Sequence, residues 1–301
     1  MLKGNPLISV VALNWNTPDI TCDFLRSVQQ HSQGVQVEMI LVDNASAVDA
    51  TLRFQEVYPG INVIRNKENL GFAGGNNVGI RAAKGDYIFI VNNDTEFTPG
   101  LLKTLLEPFS SDHSVGVVCP KIRFFDRPDT IQYAGFHPIN TFTGRTEAVG
   151  NRQVDDGQFD RPGYTHGAHG CAMMVKKEVI EQVGAFPESF FLYYEEWDWS
   201  ARILRAGYKI YFQPKALIFH KESMSVGKQN PMKVYYQTRN RILYMRRNSP
   251  FMHRLVFFVF FGFFALPKAV LRYTAARQFN HLRSFLKGMA WNFTSSKYSP
   301  V

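Results

Sequence analysis

The first 120 residues alternate short β-branched runs with helical stretches, and this alternation limits the possible folds more than any other feature. Runs at Leu7–Leu13, Val37–Val42, Ile61–Arg65, Asp86–Val91 and Val115–Cys119 read as buried strands separated by longer helical spacings. After the first run, Thr17 and Pro18 supply a helix start, and Phe24, Leu25 and Val28 fall on one helical face. The order predicts an α/β fold, a Rossmann-like, mostly parallel sheet flanked by helices. Ligands of such sheets bind beyond the carboxyl ends of the strands, so polar residues just after a strand are the first candidates for chemistry.

From about residue 123 to 166 the pattern loosens into turn-forming and polar residues, a length that more often serves function than connection. Order resumes at Gly167–Val175, then a helix over Lys177–Val183, the stretch Phe190–Ala206, and a β-like pair, Lys209–Gln213 and Ala216–His220. Charge divides the chain. The net charge is +9, yet no Asp or Glu follows Glu222, while 13 Lys and Arg lie between Lys228 and Lys297. The first 222 residues are mildly acidic, and the remainder is a basic tail. Such a tail suits anionic lipid, nucleic acid or a phosphorylated substrate.

The tail reads as helices, one starting at Asn230-Pro231 and running to Arg247. The next, Leu255–Pro267, is apolar all round, but Lys268 and Arg272 end it short of the ~20 residues a spanning helix needs. The expectation is a helix lying in or dipping into one leaflet, its basic flanks facing anionic headgroups. A buried core helix or a dimer interface is the alternative, and oligomeric state stays open. Nucleic acid is not expected, because the aromatic residues form one greasy block rather than a series spaced for base stacking. Cys22, Cys119 and Cys171 lack metal-ligand spacing and read as reduced core thiols. The amino terminus has no small-residue cleavage site, so a secretory leader is not expected.

Five sets of residues carry candidate chemistry. Asp43 and Asn44, with Asn14 and Asn16, offer a strand-end carboxylate and amides for the edge of a uracil or thymine; the same residues also make ordinary turn caps. Gly71, Gly74, Gly75 and Gly79, among Asn69, Asn76 and Asn77, allow close backbone approach to a ligand, though their spacing is neither the dinucleotide fingerprint nor a P-loop. Asn92-Asn93-Asp94 puts a carboxylate where a divalent cation bridging a diphosphate would lie, or merely turns the chain. Glu195, Glu196 and Asp198 sit among Tyr193, Tyr194, Trp197 and Trp199, surroundings that raise a carboxyl pKa toward that of a general base. An acidic helix start is the plainer reading, with Asp198 pairing to Arg202 four residues on. His220 ends a hydrophobic strand and could join Asp94 on a metal, although most lone histidines are not ligands.

Taken in order, SVVALNWN (9–16), VDNAS (42–46), NLGFAGGNNVGI (69–80), VNNDTEF (91–97), GCAMMVKKEVIEQVGAFPESFFLYYEEWDWSARILRAGY (170–208), PKALIFHKESMS (214–225) and YYQTRNRILYMRRN (235–248) resemble family 2 glycosyltransferases of the GT-A fold, especially the bacterial rhamnosyltransferase-like group. The resemblance implies a transferase domain over 1–225, with 123–166 on its acceptor side, and a membrane-associating tail over 226–301. It implies that Asp43 contacts the base and that Asn14, Asn16, Asn69, Gly71, Asn76, Asn92 and Asn93 border the nucleotide sugar. Asp94 and His220 would hold a divalent cation, Mg²⁺ or Mn²⁺, and Glu196 would deprotonate the acceptor. Gly170, Glu195, Asp198, Arg239 and Asn240 would face the acceptor or its phosphate.

The implied reaction is a single inverting displacement. The donor would be dTDP-rhamnose or a UDP-hexose, and the acceptor a lipid-linked glycan at the cytoplasmic face of a bacterial inner membrane, in surface polysaccharide synthesis. Two residues depart from the family pattern: Asn92 replaces the first Asp of D-x-D, and Glu196 stands where Asp is usual, one methylene longer. A nucleotidyltransferase would carry a glycine-rich loop with Arg and Lys after strand one, where Asn14-Trp15-Asn16-Thr17-Pro18 stands. A non-catalytic, membrane-tethered binder of nucleotide or glycan is favoured by Asn92 and opposed by Asp94, Glu196 and His220 together.

Overall fold

In the computed structural model, residues 4–221 and 230–298 are described. The chain runs β1 (Leu7–Asn14), α1 (Pro18–His31), β2 (Gln36–Asp43), α2 (Thr51–Val57), β3 (Asn62–Arg65), α3 (Gly71–Ala82), β4 (Tyr87–Val91), β5 (Thr95–Phe97), α4 (Leu101–Ser111) and β6 (Val115–Phe124). It continues through β7 (Ile131–Tyr133), β8 (Gly163–Thr165), β9 (Ala172–Lys176), α5 (Lys177–Val183), α6 (Glu195–Arg205), β10 (Lys209–His220), α7 (Pro231–Asn248), α8 (Phe251–Phe260), α9 (Leu266–Ala275) and α10 (Phe279–Thr294). The sheet order is β3-β2-β1-β4-β9-β6-β10-β5, with β7 on β6 and β8 on β10.

Strands β3, β2, β1 and β4 form the parallel block that the alternation predicts. The near-continuous Val, Ile and Leu runs of β1, β2 and β4 are buried, as parallel strands covered by crossover helices require, whereas the edge strand β3 is only partly covered. The sheet as a whole is mixed, because β9 enters antiparallel to both β4 and β6 after the long 125–171 excursion. The expected pair 209–213 and 216–220 is one strand, β10, which carries an irregularity between Gln213 and Leu217. Register sets the site. Asn14 lies level with Asp43 across β1 and β2, and His220 lies opposite Thr95 across β10 and β5, one residue from Asp94.

The tail packs against the sheet domain through α7. Asn230 caps it, its Oδ1 accepting from the Met232 N–H at 2.9 Å, as the Asn-Pro start predicts. The sequence expectation about the apolar segment needs correction. Helix runs unbroken from Phe251 to Ala275, 25 residues, long and apolar enough to cross a membrane by length and composition. Charge at Lys268 and Arg272 does not end it, because a charged side chain is no helix breaker. Pro267, which lacks an N–H, is accommodated by a π-helical turn over Phe261–Ala265, in which Leu266 N–H bonds to Phe261 O. Phe257 and Phe261 pack against α7, whereas Phe258, Val259, Phe263 and Phe264 are exposed. The proposed domain boundary at 225/226 and the matched residues Glu222–Ser225 lie outside the described residues.

The excursion after β6 is pinned by a buried ion pair. Lys121 on β6 reaches Asp155 at 2.7 Å, and both side chains are shielded from solvent; Arg123 and Asp160 complete the cluster. Removing Asp155 leaves the buried Lys121 with the exposed Asp160 alone and takes from Arg123 its carboxylate partner. Asp155→Asn is expected to lower stability by about 3 kcal/mol in urea denaturation, with the slope unchanged.

Candidate active site

Three of the sequence-picked sets converge at the carboxyl end of the parallel strands. At β1 and β2, Asn14 Nδ2 donates to Asp43 Oδ1 at 2.7 Å, and Ser46 Oγ donates to the same oxygen. Arg65 Nε, from the end of β3, reaches Asp43 Oδ2 at 3.1 Å. Asn16, in left-handed backbone at φ 57°, accepts from Ala47 N–H through its side chain. Asp43 is therefore a carboxylate held in place by three neighbours. Ser46 and Arg65 were absent from the sequence-picked set.

The glycine-rich segment serves a different purpose from the one expected of it. The N–H groups of Phe72 and Ala73 at the start of α3 are bonded to Phe191 O, at 2.7 and 3.2 Å. At Gly71, φ is +69° and an added Cβ would lie 2.4 Å from that same carbonyl; at Gly79 a Cβ would lie 2.4 Å from Val11 Cγ1. The glycines thus let α3 approach β1 and the 188–191 turn. Asn69 Oδ1 accepts from Gly71 N–H at 2.8 Å, Asn44 braces the turn through Asn69, Gly71 O and Asn66, and Asn76 donates to Phe72 O. Direct phosphate binding by the start of this helix is accordingly not supported.

Beyond β4, Asn92 is partly exposed and its N–H bonds to Cys171 O at 2.8 Å. Asn93 is buried and donates to Thr17 and Thr21, tying β4 to α1. Asp94 and His220, 126 positions apart, come together: Asp94 Oδ1 lies 3.0 Å from His220 Nε2 yet has no hydrogen-bond partner of proper geometry. Asn92 Nδ2 is 3.5 Å from the same nitrogen. The other ring nitrogen, Nδ1, lies 2.7 Å from Gln132 Oε1, a contact that fixes the ring with Nε2 facing Asp94. Burial opposes charge on His220, but Cys171 and Asp94 beside it prevail and raise its pKa above the usual range. A converging carboxylate oxygen and imidazole nitrogen, with the imidazole oriented from behind, suit a divalent cation. Among the described residues no group of three or more His, Cys, Asp or Glu has metal-binding geometry, so remaining coordination would come from ligand oxygens and water. Nothing in the sequence pattern points to Gln132, which is brought in by β7 alone.

The acidic set opens α6. Glu195 is 3% exposed and Glu196 partly exposed, and the Oε2 of each is closed to solvent without a hydrogen-bond partner. Burial pushes the Glu196 carboxyl up to about 7, and burial and the charge of Glu196 push Glu195 well above the usual range. A Cβ on Gly170 would lie 4.0 Å from that of Glu196, and the next residue, Cys171, abuts His220. The three residues 169–171 therefore link the acidic set to the Asp94–His220 pair. His169, which sequence reading passed over, accepts from Cys171 N–H through Nδ1, and burial and nearby His220 lower its pKa to about 3.

Three assignments to the acceptor side are corrected. Asp198 is buried and held by Arg202 at 3.2 Å, Arg247 at 2.8 Å and Asn248 at 2.8 Å; it joins α6 to α7. The pairing with Arg202 is the one its spacing predicts. Asn240, fully buried, donates to the carbonyls of Phe190, Leu192 and Tyr193, each at 2.8 Å. Arg239 donates to Ser189 O and Phe190 O and packs on Trp291. Both residues grip the loop that precedes Glu195, in which Phe191, Tyr193 and Tyr194 all have positive φ. They face this backbone rather than a phosphate.

A held carboxylate on β2, an oxygen–nitrogen pair beyond β4 and a raised carboxyl on α6 thus lie at the carboxyl ends of an open α/β sheet, where ligands of such sheets bind. The glycosyl transferase family 2 model matches residues 9–184, more than half the chain, and the protein belongs to that family. It is a glycosyltransferase of the GT-A fold. It is 25% identical over 244 residues to the low-salt glycan biosynthesis hexosyltransferase Agl10 of Haloferax volcanii, covering 78% of this chain and 74% of that one. It is also 25% identical over 245 residues to an N-acetylglucosaminyl-diphospho-decaprenol L-rhamnosyltransferase of Mycobacterium tuberculosis, covering 74% and 78%. A longer Sinorhizobium fredii protein, y4gI, matches at 24% identity over 261 residues, only 28% of its own length. Among solved structures, the mannosyltransferase PcManGT of Pyrobaculum calidifontis, in complex with GDP-Man and Mn²⁺, superposes with a TM-score of 0.59 at 16% identity, covering 97% of this chain and 88% of that one.

Glu195 supplies a test of the buried acid. A carboxyl whose folded pKa is raised favours folding below the unfolded value of about 4.3 and loses that contribution as pH rises toward the folded value. Glu195→Gln is therefore expected to gain stability relative to the parent as pH rises from 5 to 8, in paired urea denaturation curves.

Proposed function

We propose that the protein transfers a sugar, with inversion, from a nucleoside-diphosphate donor to a hydroxyl of a lipid-linked glycan at a membrane surface, using a divalent cation. The observation that carries this reading is the convergence of Asp94 and His220 beside the 169–171 stretch that reaches Glu196. Asp43, steadied by Asn14 and Arg65, receives the base edge, while Asn16, Asn69 and Asn92 border the nucleotide and Asn76 and Asn93 hold the backbone beneath it. Asp94 and His220 would hold Mg²⁺ or Mn²⁺, which when bound would neutralise the diphosphate leaving group.

Glu196, ionised, takes the proton of the acceptor hydroxyl while that oxygen attacks the anomeric carbon. A pKa of about 7 suits a general base, being low enough for much of the population to be ionised and high enough to hold the proton afterwards.

Donor identity is proposed as dTDP-rhamnose or a UDP-hexose, after the rhamnosyl- and hexosyltransferase relatives. A role in surface polysaccharide synthesis at the cytoplasmic face of the inner membrane fits those relatives, the 25-residue apolar helix and the basic residues flanking it.

Two variants test the reading. Glu196→Gln is expected to keep nucleotide-sugar affinity within about threefold and to lose turnover 10²–10⁴-fold. In the parent, turnover falls as pH drops below about 7, where Glu196 becomes protonated. Retained turnover in Glu196→Gln sinks the assignment. Asp94→Asn is expected to abolish the Mn²⁺-dependent rise in melting temperature that UDP or TDP produces, without lowering the melting temperature of the unliganded protein.

A further inference from the structure

With Arg239 and Asn240 engaged by backbone, the next residue on α7 stands out. Arg241 is 8% exposed, its Nη2 is closed to solvent, and that nitrogen has no hydrogen-bond acceptor. Its Nε donates to Thr143 O at 2.5 Å, and the guanidinium lies 5.7 and 5.5 Å from the rings of Phe257 and Phe261. The titratable groups that face it are the Tyr194 phenol, kept neutral by burial, and a second cation, Arg145; no carboxylate among the described residues acts on it. Burial, and then the neighbouring Arg145, bring its pKa down to about 10, low for an arginine but still cationic at neutral pH. A desolvated guanidinium with a spare donor, set beside another cation and no acid, is an arrangement that proteins keep where an anion completes it.

The surroundings narrow the anion. Arg145 is exposed and closes a small hairpin in which Asn140 N–H bonds to Arg145 O at 2.8 Å. Tyr194 O–H donates to Gly144 O at 2.9 Å, so the hairpin rests on the loop that leads to Glu196. The Tyr194 phenol feels Arg241, Glu196 and Arg145 together, which puts the two cations and the general base around a single ring. On its other side Arg241 abuts the first turns of the long apolar helix. The hairpin is held mainly by its own bonds, those from Tyr194 and Arg241 apart, and Thr146 Oγ1, just beyond it, is likewise closed off without a partner. A group reaching this place would have an apolar chain on one side and the base on the other.

We propose that Arg241 and Arg145 bind a phosphate group carried by a lipid, on the acceptor side of Glu196. A guanidinium fork pairs with two phosphate oxygens, supplying the acceptor that Arg241 Nη2 lacks, while Arg145 adds a second charge from the solvent side. The hydrocarbon lies along α8. Two sources carry this chemistry: the diphosphate of a lipid-linked acceptor, and an anionic headgroup. The acceptor source rests on the glycosyl-transfer reading, whereas the anion site itself does not.

The test uses the full chain with two probes, a short-chain prenyl diphosphate in solution and phosphatidylglycerol vesicles, with phosphatidylcholine vesicles as the uncharged reference. Arg145→Gln alters an exposed side chain and leaves the fold intact; Arg241→Lys keeps the buried charge but removes the fork, and Arg241→Gln removes both. The expected result is at least a tenfold loss of prenyl diphosphate affinity in each variant, with UDP or TDP binding and melting temperature near those of the parent for Arg145→Gln. Loss of phosphatidylglycerol binding with prenyl diphosphate affinity unchanged keeps the site and assigns the headgroup as its source. Unchanged affinity for both probes in Arg145→Gln and Arg241→Lys overturns the proposal, as does a parent protein that binds neither. A parent that binds prenyl diphosphate through these arginines but no sugar nucleotide removes the transferase reading and leaves this site standing.

Discussion

The carbonyl of Phe191 is the point on which the site turns. From one side it accepts the first N–H groups of α3, which approach it because Gly71 has no side chain to interfere. From the other side the loop that bears it is gripped by Asn240 and Arg239 of α7, whose side chains take up carbonyls from Ser189 to Tyr193. Phe191 and Tyr193 among them, and the adjoining Tyr194, are held at positive φ, which costs of order 1–3 kcal/mol each for non-glycine residues and persists only where neighbours over-determine it. Here the neighbours are a helix of the nucleotide-side domain and a helix of the tail. The acidic residues Glu195 and Glu196 begin immediately afterwards, so their direction is set jointly by both.

This arrangement gives the basic tail two roles in one helix. The face of α7 toward the sheet domain holds the loop and, through Arg247 and Asn248, the Asp198 carboxylate on α6. The face toward α8 and α10 meets Phe257, Phe261 and Phe285 of those helices, beyond which the exposed apolar side chains begin. Asn292 of α10 donates to Arg239 O at 3.0 Å, so α10 is tied to the residue that holds the loop. The long apolar helix thus packs on the same α7 that holds the loop leading to Glu196.

The two groups proposed for the chemistry share an electrostatic condition. Each is a polar atom closed off from water without a matching hydrogen bond: Asp94 Oδ1 facing His220 in one case, Glu196 Oε2 in the other. Orphaned polar atoms are costly in a folded protein, and they gather where a ligand or a proton is to be exchanged. The buried asparagines of the region, Asn44, Asn77, Asn93 and Asn240, are instead engaged in joining neighbouring segments. That contrast separates the reacting groups from their supports more cleanly than residue type does, since asparagines and carboxylates occur in both.

Local order settled a good deal in advance. The parallel block, the strand-end positions of Asp43 and Asp94, the i,i+4 pair of Asp198 and Arg202 and the start of α7 all follow from hydrophobic period, caps and breakers, which act within a few residues. Tertiary structure decided the rest, because those signals say nothing about which distant atoms meet. It brought His220 to Asp94 by the register of β10 on β5, and Gln132 to His220 by a three-residue strand inside the long excursion. It turned the glycine cluster from a ligand cradle into a packing face, and Arg239 and Asn240 from phosphate contacts into a clasp on backbone. It also carried the apolar helix past Pro267 by widening one turn, an adjustment that composition alone does not reveal. Each of these depends on long-range packing, and there the number of competing partners for a polar side chain is too large for spacing along the chain to choose among them.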